Sequence, residues 1–399
     1  MRPFDGKRVL LGVTGSIAAY KAADLASKLT QTGARVNVLL SPAAARFVTP
    51  LTFRSVTHQP VLADLFDPAS EDAIEHVALA NAADLFIVAP ATANALFKFA
   101  HGQADDPVSL TALACPAPLL IAPAMDADMW EHPAVQANAA ILRERGAEFA
   151  GPERGRLASG LYGQGRLADT AQIIGLAGRV LGRGGDLAGK TIVVSAGGAQ
   201  EPIDSVRVVT NRSSGKMGYA LAEAARDRGA QVVLVSAPTA LPYPAGVAVR
   251  AVETSAQVRE AVLSACAGAD ALVMAAAVAD YRPAEPSAQK IKKSGEALHV
   301  RMEPTADILS EAPRDIVRVG FAAESQDLLA NAQAKLRAKE LHLIVANDIS
   351  REGSGFGADD NQVTLLAPEG APEELPLMSK REVAWRILDR VAPLLRSGE

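Results

Sequence analysis

The sequence predicts an α/β protein of two doubly wound, Rossmann-like domains, each with a mostly parallel sheet, and three observations carry that expectation. One stretch in each half reads strand, glycine turn, helix, strand. The second strands are worded alike, TGARVNVLLSP at 32–42 and RGAQVVLVSAP at 228–238. The other apolar runs are short and aliphatic and end in proline or polar residues, as buried parallel strands do where they meet ligand.

Taken in order, KRVLLGVT (7–14) is a strand, and after Gly-Ser the run IAAYKAADLASKLTQTG has helical apolar spacing up to Gly33. ARVNVLLSP then completes a βαβ unit, which requires parallel pairing. ADLFIVAP (83–90) and PLLIAPAM (118–125) are the next buried strands. LGRGGDLAGK (181–190) has linker composition, so the boundary is placed at Gly184, giving domains 1–183 and 184–399. In the second domain KTIVVSAGG is a strand and turn, KMGYALAEAARDRG a helix and AQVVLVSAP a strand. ADALVMAAAVAD (269–280), VRVGFAA (317–323) and LHLIVAND (341–348) follow as further strands.

The bulk numbers restrict function. A formal charge of −5 over 399 residues argues against a nucleic-acid partner, which needs a basic face to displace counterions. Two distant cysteines, Cys115 and Cys266, exclude a disulfide scaffold and suit a reducing compartment. The apolar run at the start is too short for a signal peptide, and the most apolar window, 112–125, is too short to span a bilayer. A cytoplasmic enzyme without a membrane partner is expected.

Gly15, Ser16 and Ile17 occupy a strand-to-helix turn, where free amides and the helix dipole attract an anion. Ser41, ending the second strand, either adds a hydroxyl to that phosphate or caps the next turn. In PATANALFKFAHGQADD (90–106), small and polar residues crowd a strand end, so Ala91, Thr92, Ala93 and Asn94 either wrap a flat polar ring or cap a helix. His76 sits among apolar neighbours in AIEHVALANAADL.

The order GSIAAYK, His before ADLFIVAPATAN, then PAMDADMW resembles the flavin-containing cysteine decarboxylases. The whole chain, from about residue 6 to 395, resembles the bacterial bifunctional family in which phosphopantothenoylcysteine decarboxylase is fused to phosphopantothenate-cysteine ligase. The resemblance implies FMN at Gly15, Ser16, Ile17, Ser41 and Ala91 to Asn94. FMN would oxidise the thiol-bearing carbon, so that loss of carbon dioxide leaves a stabilised enethiolate, and would then return the hydride. His76 would assist oxidation and decarboxylation. The family's substrate-binding Asn falls on Asp126 and its proton-donating Cys on Ser159, within GRLASGLYGQGRL (155–167). A hydroxyl is a far weaker acid than a thiol, and two carboxylates in contact repel unless one is protonated. Two readings follow: a complete bifunctional enzyme, or a ligase whose flavin domain survives as an impaired assembly module.

In the second half, TNRSSGKMG (210–218) lacks the first Gly and the closing Ser or Thr of a Walker A loop. The longer run SAGGAQEPIDSVRVVTNRSSGKMGYALA (195–222) resembles the ligase signature and places the catalytic Asn at Asn211. Amides of Ser213, Ser214 and Gly215 would hold the phosphate of 4′-phosphopantothenate. KIKKSG (290–295) alternates so that Lys290 and Lys292 share a face. By resemblance Lys290 is the catalytic lysine, Asp280 meets CTP directly or through Mg2+, and Ala306, Asp307, Ile308, Leu309, Phe321, Lys335 and Lys339 bind CTP. The last two share one helix face by their i,i+4 spacing. CTP would turn the carboxylate into an acyl-cytidylate, which the amine of cysteine opens. The resemblance also implies a homo-oligomer, a dodecamer. A nicotinamide dehydrogenase, suggested by the fold alone, is disfavoured because GVTGSI lacks the G-x-G-x-x-G spacing.

Overall fold

The computed structural model describes residues 3–65, 75–293, 295, 297–324, 327–348 and 357–396. The chain forms two compact units that divide between Gly182 and Arg183.

In the first unit β1 (Arg8–Val13), β2 (Arg35–Leu40), β3 (Val61–Leu62), β4 (Leu85–Ala91), β5 (Leu119–Pro123) and β6 (Glu148–Phe149) form one sheet in the order β3-β2-β1-β4-β5-β6. Every pair is parallel. The order reverses between β1 and β4, which opens a crevice at their carboxyl ends. Helix Ala19–Gln31 turns Ala19, Ala22, Leu25, Ala26 and Leu29 inward, the helical stripe read from sequence. These side chains share a core with Val9, Leu11 and Val13 of β1.

An antiparallel hairpin, β7 (Glu153–Arg156) and β8 (Tyr162–Arg166), was not foreseen. Its sequence, ERGRLASGLYGQGR, carries few apolar residues to reveal a strand period. The hairpin docks by its backbone: Met125 N donates to Gly165 O at 3.0 Å. A Cβ on Gly165 would stand 2.2 Å from Met125 O, so any side chain there forces the hairpin away. Gly165→Ala is expected to destabilise the first unit by about 1–3 kcal/mol. Calorimetry should show a lowered first-unit transition and an unmoved second one; coincident, unshifted transitions would refute the close docking.

The second unit contains β9 (Thr191–Ala196), the hairpin β10 (Gln200–Pro202) and β11 (Val208–Thr210), then β12 (Gln231–Ser236), β13 (Ala248–Ala251) and β14 (Ala271–Met274). It continues through β15 (Tyr281–Pro283), β16 (Met302–Pro304), β17 (Val317–Glu324) and β18 (Leu343–Asp348). Four short strands follow, β19 (Asp360–Asn361), β20 (Val363–Leu366), β21 (Glu373–Glu374) and β22 (Met378–Ser379). The main sheet runs β13-β12-β9-β14-β17-β18-β20-β21. It is parallel up to β18, with β20 and β21 antiparallel. Again the order reverses, here between β9 and β14.

Two expectations need correction. The strand read over 269–280 ends at Met274, because Ala276 N donates to Ser195 Oγ and Ala277 N to Gly197 O, which lifts the chain off the ladder. The glycine-rich linker is anchored from Asp186 onward. Leu187 is fully buried in the second core, and Arg228 donates to Asp186 at 2.9 and 2.5 Å and to Asp389 of the terminal helix Lys380–Arg396. Trp130 is buried in a first-unit core and Trp385 packs against a second-unit core. Among the described residues no helix is long and apolar enough to cross a membrane.

Candidate functional site

In the first unit a cavity of about 520 Å³ lies beyond the carboxyl ends of β1, β2 and β4. Thr14 and Gly15 follow β1, Ser41 to Ala43 follow β2, and Thr92 to Ala95 follow β4; Phe99, Val108 and Met129 add apolar surface. Thr14 joins two strand ends: its hydroxyl donates to Pro90 O at 2.7 Å and accepts from Thr92 N at 3.0 Å. Gly15 passes so close to Ala43 that a Cβ would stand 2.4 Å from the alanine Cβ.

Of the residues expected here, Gly15, Ser41, Thr92, Ala93 and Asn94 line the cavity, and Ser16, Ile17 and Ala91 do not. Ala91 is fully buried within β4, and Ile17 exposes 57% of its surface. The amide of Ser16 is not free, since it donates to Thr14 O at 2.8 Å. Ser41 is a cap, accepting from Ala44 N at 3.2 Å, and Thr92 caps helix Ala93–His101 through Ala95 N.

Lys98, Asp105 and Asp106 also line the cavity and were missed. Lys98 reaches Asp105 at 2.5 Å and Asp106 at 2.7 Å. Burial works against its charge, but the hydrogen bonds and charges of the two carboxylates outweigh burial and hold the ammonium above the ordinary lysine range. Asp106 also caps helix Pro107–Ala114 by accepting from Val108 N and Ser109 N. The sequence signal was present, an Asp immediately before a helix-starting Pro.

His76 is half-buried on helix Glu75–Ala82 and does not line this cavity. Asp126 caps helix Ala127–Glu131, whose Met129 does line it. Ser159 lies between β7 and β8, and its hydroxyl donates to Asp126 Oδ2 at 2.5 Å. The two positions at which the resemblance expects Asn and Cys therefore touch each other, a pairing that nothing in their linear spacing announces.

The second unit holds a cavity of about 230 Å³ at the carboxyl ends of β14 and β17. It gathers Asp280, Ala306, Asp307, Ile308, Leu309, Phe321, Lys335 and Lys339 with Met274, Ala276, Val278, Ala279 and Thr305. The 279–280 and 305 segments are tied, Thr305 N donating to Asp280 O and Thr305 Oγ1 to Ala279 O. Lys339 pairs with Asp307 at 2.8 Å, and Lys335 donates to Phe321 O at 2.8 Å, so neither ammonium simply faces the cavity. Burial alone would raise Asp307, but Lys339 and Ser310 outweigh it and hold the carboxyl below its usual range.

Asn211 stands beside this cavity, its amide donating to the lining residue Val278 through the main-chain oxygen at 3.2 Å. Gly215 begins helix Lys216–Asp227, and Ser213 Oγ accepts from the Gly215 amide at a long 3.4 Å. Lys216 is not aimed at a phosphate: it donates to Gly357 O at 2.9 Å and Asp359 Oδ1 at 2.7 Å. Lys290 is exposed and outside the cavity lining, in a segment without regular strand structure. Its neighbour Ile291 is clamped, its amide donating to Asp204 Oδ2 at 3.1 Å while its oxygen accepts from Arg207. The clamp was also missed. Among the described residues no group of three or more His, Cys, Asp or Glu is arranged to hold a metal ion.

Residues 2–181 match the flavoprotein family, and residues 187–394 match the family described as DNA/pantothenate metabolism flavoprotein C-terminal domain. The coenzyme A biosynthesis bifunctional protein CoaBC of Bacillus subtilis is 46% identical over 402 residues, covering 99% of both chains. The protein of that name from Mycobacterium tuberculosis is 43% identical, covering 98% of this chain and 97% of its own. Among solved structures, the C-terminal domain of a CoaBC protein is 40% identical, covers 53% of this chain and 98% of its own, and has a TM-score of 0.45.

Proposed function

The chain belongs to the bacterial family of bifunctional coenzyme A biosynthesis proteins, which carry phosphopantothenate-cysteine ligase and phosphopantothenoylcysteine decarboxylase activities, and on that premise we propose how its two units divide the work. The second unit joins 4′-phosphopantothenate to cysteine at the expense of CTP, through an acyl-cytidylate. The first unit decarboxylates the resulting 4′-phosphopantothenoylcysteine to 4′-phosphopantetheine with FMN. The observation that carries the ligase reading is the convergence of Asp280, residues 306–309, Phe321, Lys335 and Lys339 on one cavity at a sheet switch point.

In that cavity Phe321 and Ile308 offer apolar surface to a base, and Lys335 and Lys339 supply positive charge for phosphates. Lys339 would exchange Asp307 for a phosphate oxygen, so nucleotide binding opens an existing ion pair. Asn211 holds the reacting carboxyl, the Ser213 to Gly215 turn receives the phosphate of 4′-phosphopantothenate, and Lys290 neutralises charge on the leaving pyrophosphate. Mg2+ would take one protein carboxylate, Asp280, with the triphosphate supplying further oxygens, a donor set this cation accepts.

In the first unit the donors around the cavity are main-chain groups and hydroxyls against Phe99, Val108 and Met129, a mixture that fits a flat heterocycle with a polar edge. FMN bound there supplies reversible hydride removal at the thiol-bearing carbon. Gly15 gives its ring or phosphate room, Thr92 to Asn94 orient it, and Lys98 with Asp105 and Asp106 fixes the far wall. His76 lies outside the cavity lining, and in a homo-oligomer of shared sites, a dodecamer by family resemblance, it would act at the substrate of a neighbouring copy. Ile17, Tyr20 and Phe47, close in sequence to lining residues, expose large apolar side chains that such an assembly would cover. The free thiols of Cys115 and Cys266 suit the cytoplasm.

The test supplies purified protein with 4′-phosphopantothenate, cysteine, CTP and Mg2+. CMP, pyrophosphate and 4′-phosphopantetheine are expected, and withholding cysteine should leave CMP bound as the acyl-cytidylate. Absence of CTP-dependent pyrophosphate release would overturn the ligase reading.

A further inference from the structure

We propose that Arg318 is a positioning residue of the nucleotide cavity: its guanidinium holds the 306–309 turn and the carboxyl end of helix Leu328–Ala338 at the spacing that CTP requires. The inference rests on the reading of the second-unit cavity as the CTP site.

Arg318 is the second residue of β17 and exposes 3% of its surface. Strand alternation sends its side chain to the same face as Gly320 and Ala322, the face whose core holds Leu309, Leu336 and Leu341. A charge buried in such a place is costly unless it finds partners. Among the described residues no carboxylate pairs with it, and its Nε has no hydrogen-bond partner. Its partners are main-chain oxygens of two separate segments: one Nη donates to Leu309 O at a long 3.5 Å, the other to Glu340 O at 2.8 Å. Leu309 belongs to the short helix Ile308–Glu311 and lines the cavity; Glu340 directly follows Lys339, which lines it too.

The backbone of Arg318 grips the second segment again. Its amide donates to His342 Nδ1 at 3.1 Å, and its oxygen accepts from His342 N at 3.0 Å. Burial first, and then the Arg318 charge, hold this imidazole below the ordinary histidine range, which leaves Nδ1 able to accept. The chain leaves the helix at Glu340 with a φ of 48°, in the left-handed region, where a cation beside the helix end is also favoured by the dipole. The Glu340 carboxylate is engaged elsewhere, with Arg314 at 2.8 Å. Two residues along β17, Gly320 admits the same two segments: a Cβ there would stand 2.7 Å from Leu341 Cδ1 and 3.3 Å from Leu309 Cδ1.

Two links thus join the same two walls. The outer link is the ion pair of Lys339 with Asp307, and it opens when Lys339 turns to a phosphate. The inner link is Arg318, which is absent from the cavity lining and bonds only main-chain oxygens through its side chain, so nucleotide binding leaves it intact. It keeps the walls in register while the outer pair changes partners, and CTP meets a site already ordered.

Steady-state pyrophosphate release by the full chain tests the assignment. Arg318→Met removes both side-chain links and leaves an unbranched apolar side chain in the core. KM for CTP is expected to rise about ten- to hundredfold, the range for lost hydrogen bonds to a charged group, with KM for 4′-phosphopantothenate and for cysteine unchanged. Arg318→Lys keeps the charge and can reach one of the two oxygens, so its KM for CTP should fall between those of wild type and Arg318→Met. The lysine variant also carries the test where the methionine variant does not fold, a rise in KM for CTP alone being the supporting result. A residue that merely holds the unit together would lower the amount of active enzyme, and so kcat, without choosing among substrates. Equal shifts of all three KM values, or a fall in kcat alone, therefore overturn the proposal. Failure of the underlying reading looks different, since wild type itself would then release no pyrophosphate from CTP.

Discussion

Replacing Lys290 by alanine is expected to lower ligase turnover by about 10²–10³-fold, the loss typical when one preorganised charge-stabilising donor is removed. Decarboxylation of supplied 4′-phosphopantothenoylcysteine should be unchanged. The side chain is exposed, so the folded state has little to lose, and unfolding temperature should stay within a degree or two of wild type. Its position is fixed through its neighbour: Ile291 is held by Asp204, whose side chain is wholly buried, and by Arg207. A lysine placed in this way can be brought to a triphosphate without belonging to the cavity wall. Asp204→Asn should therefore reproduce part of the loss, mainly in kcat, although Asp204 touches no ligand. Pyrophosphate release under saturating CTP, 4′-phosphopantothenate and cysteine is the measurement. Wild-type turnover by Lys290→Ala would remove this lysine from the mechanism and leave Lys335 and Lys339 to stabilise the leaving group.

The parts of the fold legible in the sequence are those that the parallel sheet dictates locally. A buried strand such as LFIVA has no polar face, and a helix such as AYKAADLASKLTQ has one apolar stripe, so each announces its own state. Strand ends then share one edge of the sheet, which is why residues far apart in sequence, Met274, Asp280 and Phe321 among them, reach one cavity. What stayed hidden depends on partners far along the chain. Lys339 reads as a free charge until Asp307 is seen beside it, and the Thr14 hydroxyl bridges to Pro90 and Thr92 across more than seventy residues. The hairpin of β7 and β8 was invisible because it is held by glycine backbone rather than by an apolar period. Glycine composition also misled, since the stretch read as a linker supplies Leu187 to the core and Asp186 to Arg228. Chain direction and strand period are local properties; the charge state of a site is not.

Gly15→Val is expected to empty the first unit of flavin, from about one FMN per chain to less than about a tenth, with ligase activity retained, since overpacking a filled site costs about 1–3 kcal/mol. The reason is contact. A Cβ at this position would stand 2.4 Å from Ala43 Cβ and 3.3 Å from the Ala43 carbonyl carbon, so either the turn after β1 or the segment after β2 must move. Both segments line the cavity, and displacement of either changes its outline. The turn has little freedom to absorb the change, because Thr14 is bonded to the end of β4 and the Ser16 amide is committed to Thr14 O. A branched side chain adds two methyl groups in the same space. Flavin absorbance per chain after gel filtration, read beside CTP-dependent pyrophosphate release, separates a local loss from a general one. Loss of both would mean that the substitution unfolds more than its own unit. Retention of flavin would place the cofactor elsewhere in the first unit and detach the turn after β1 from its binding.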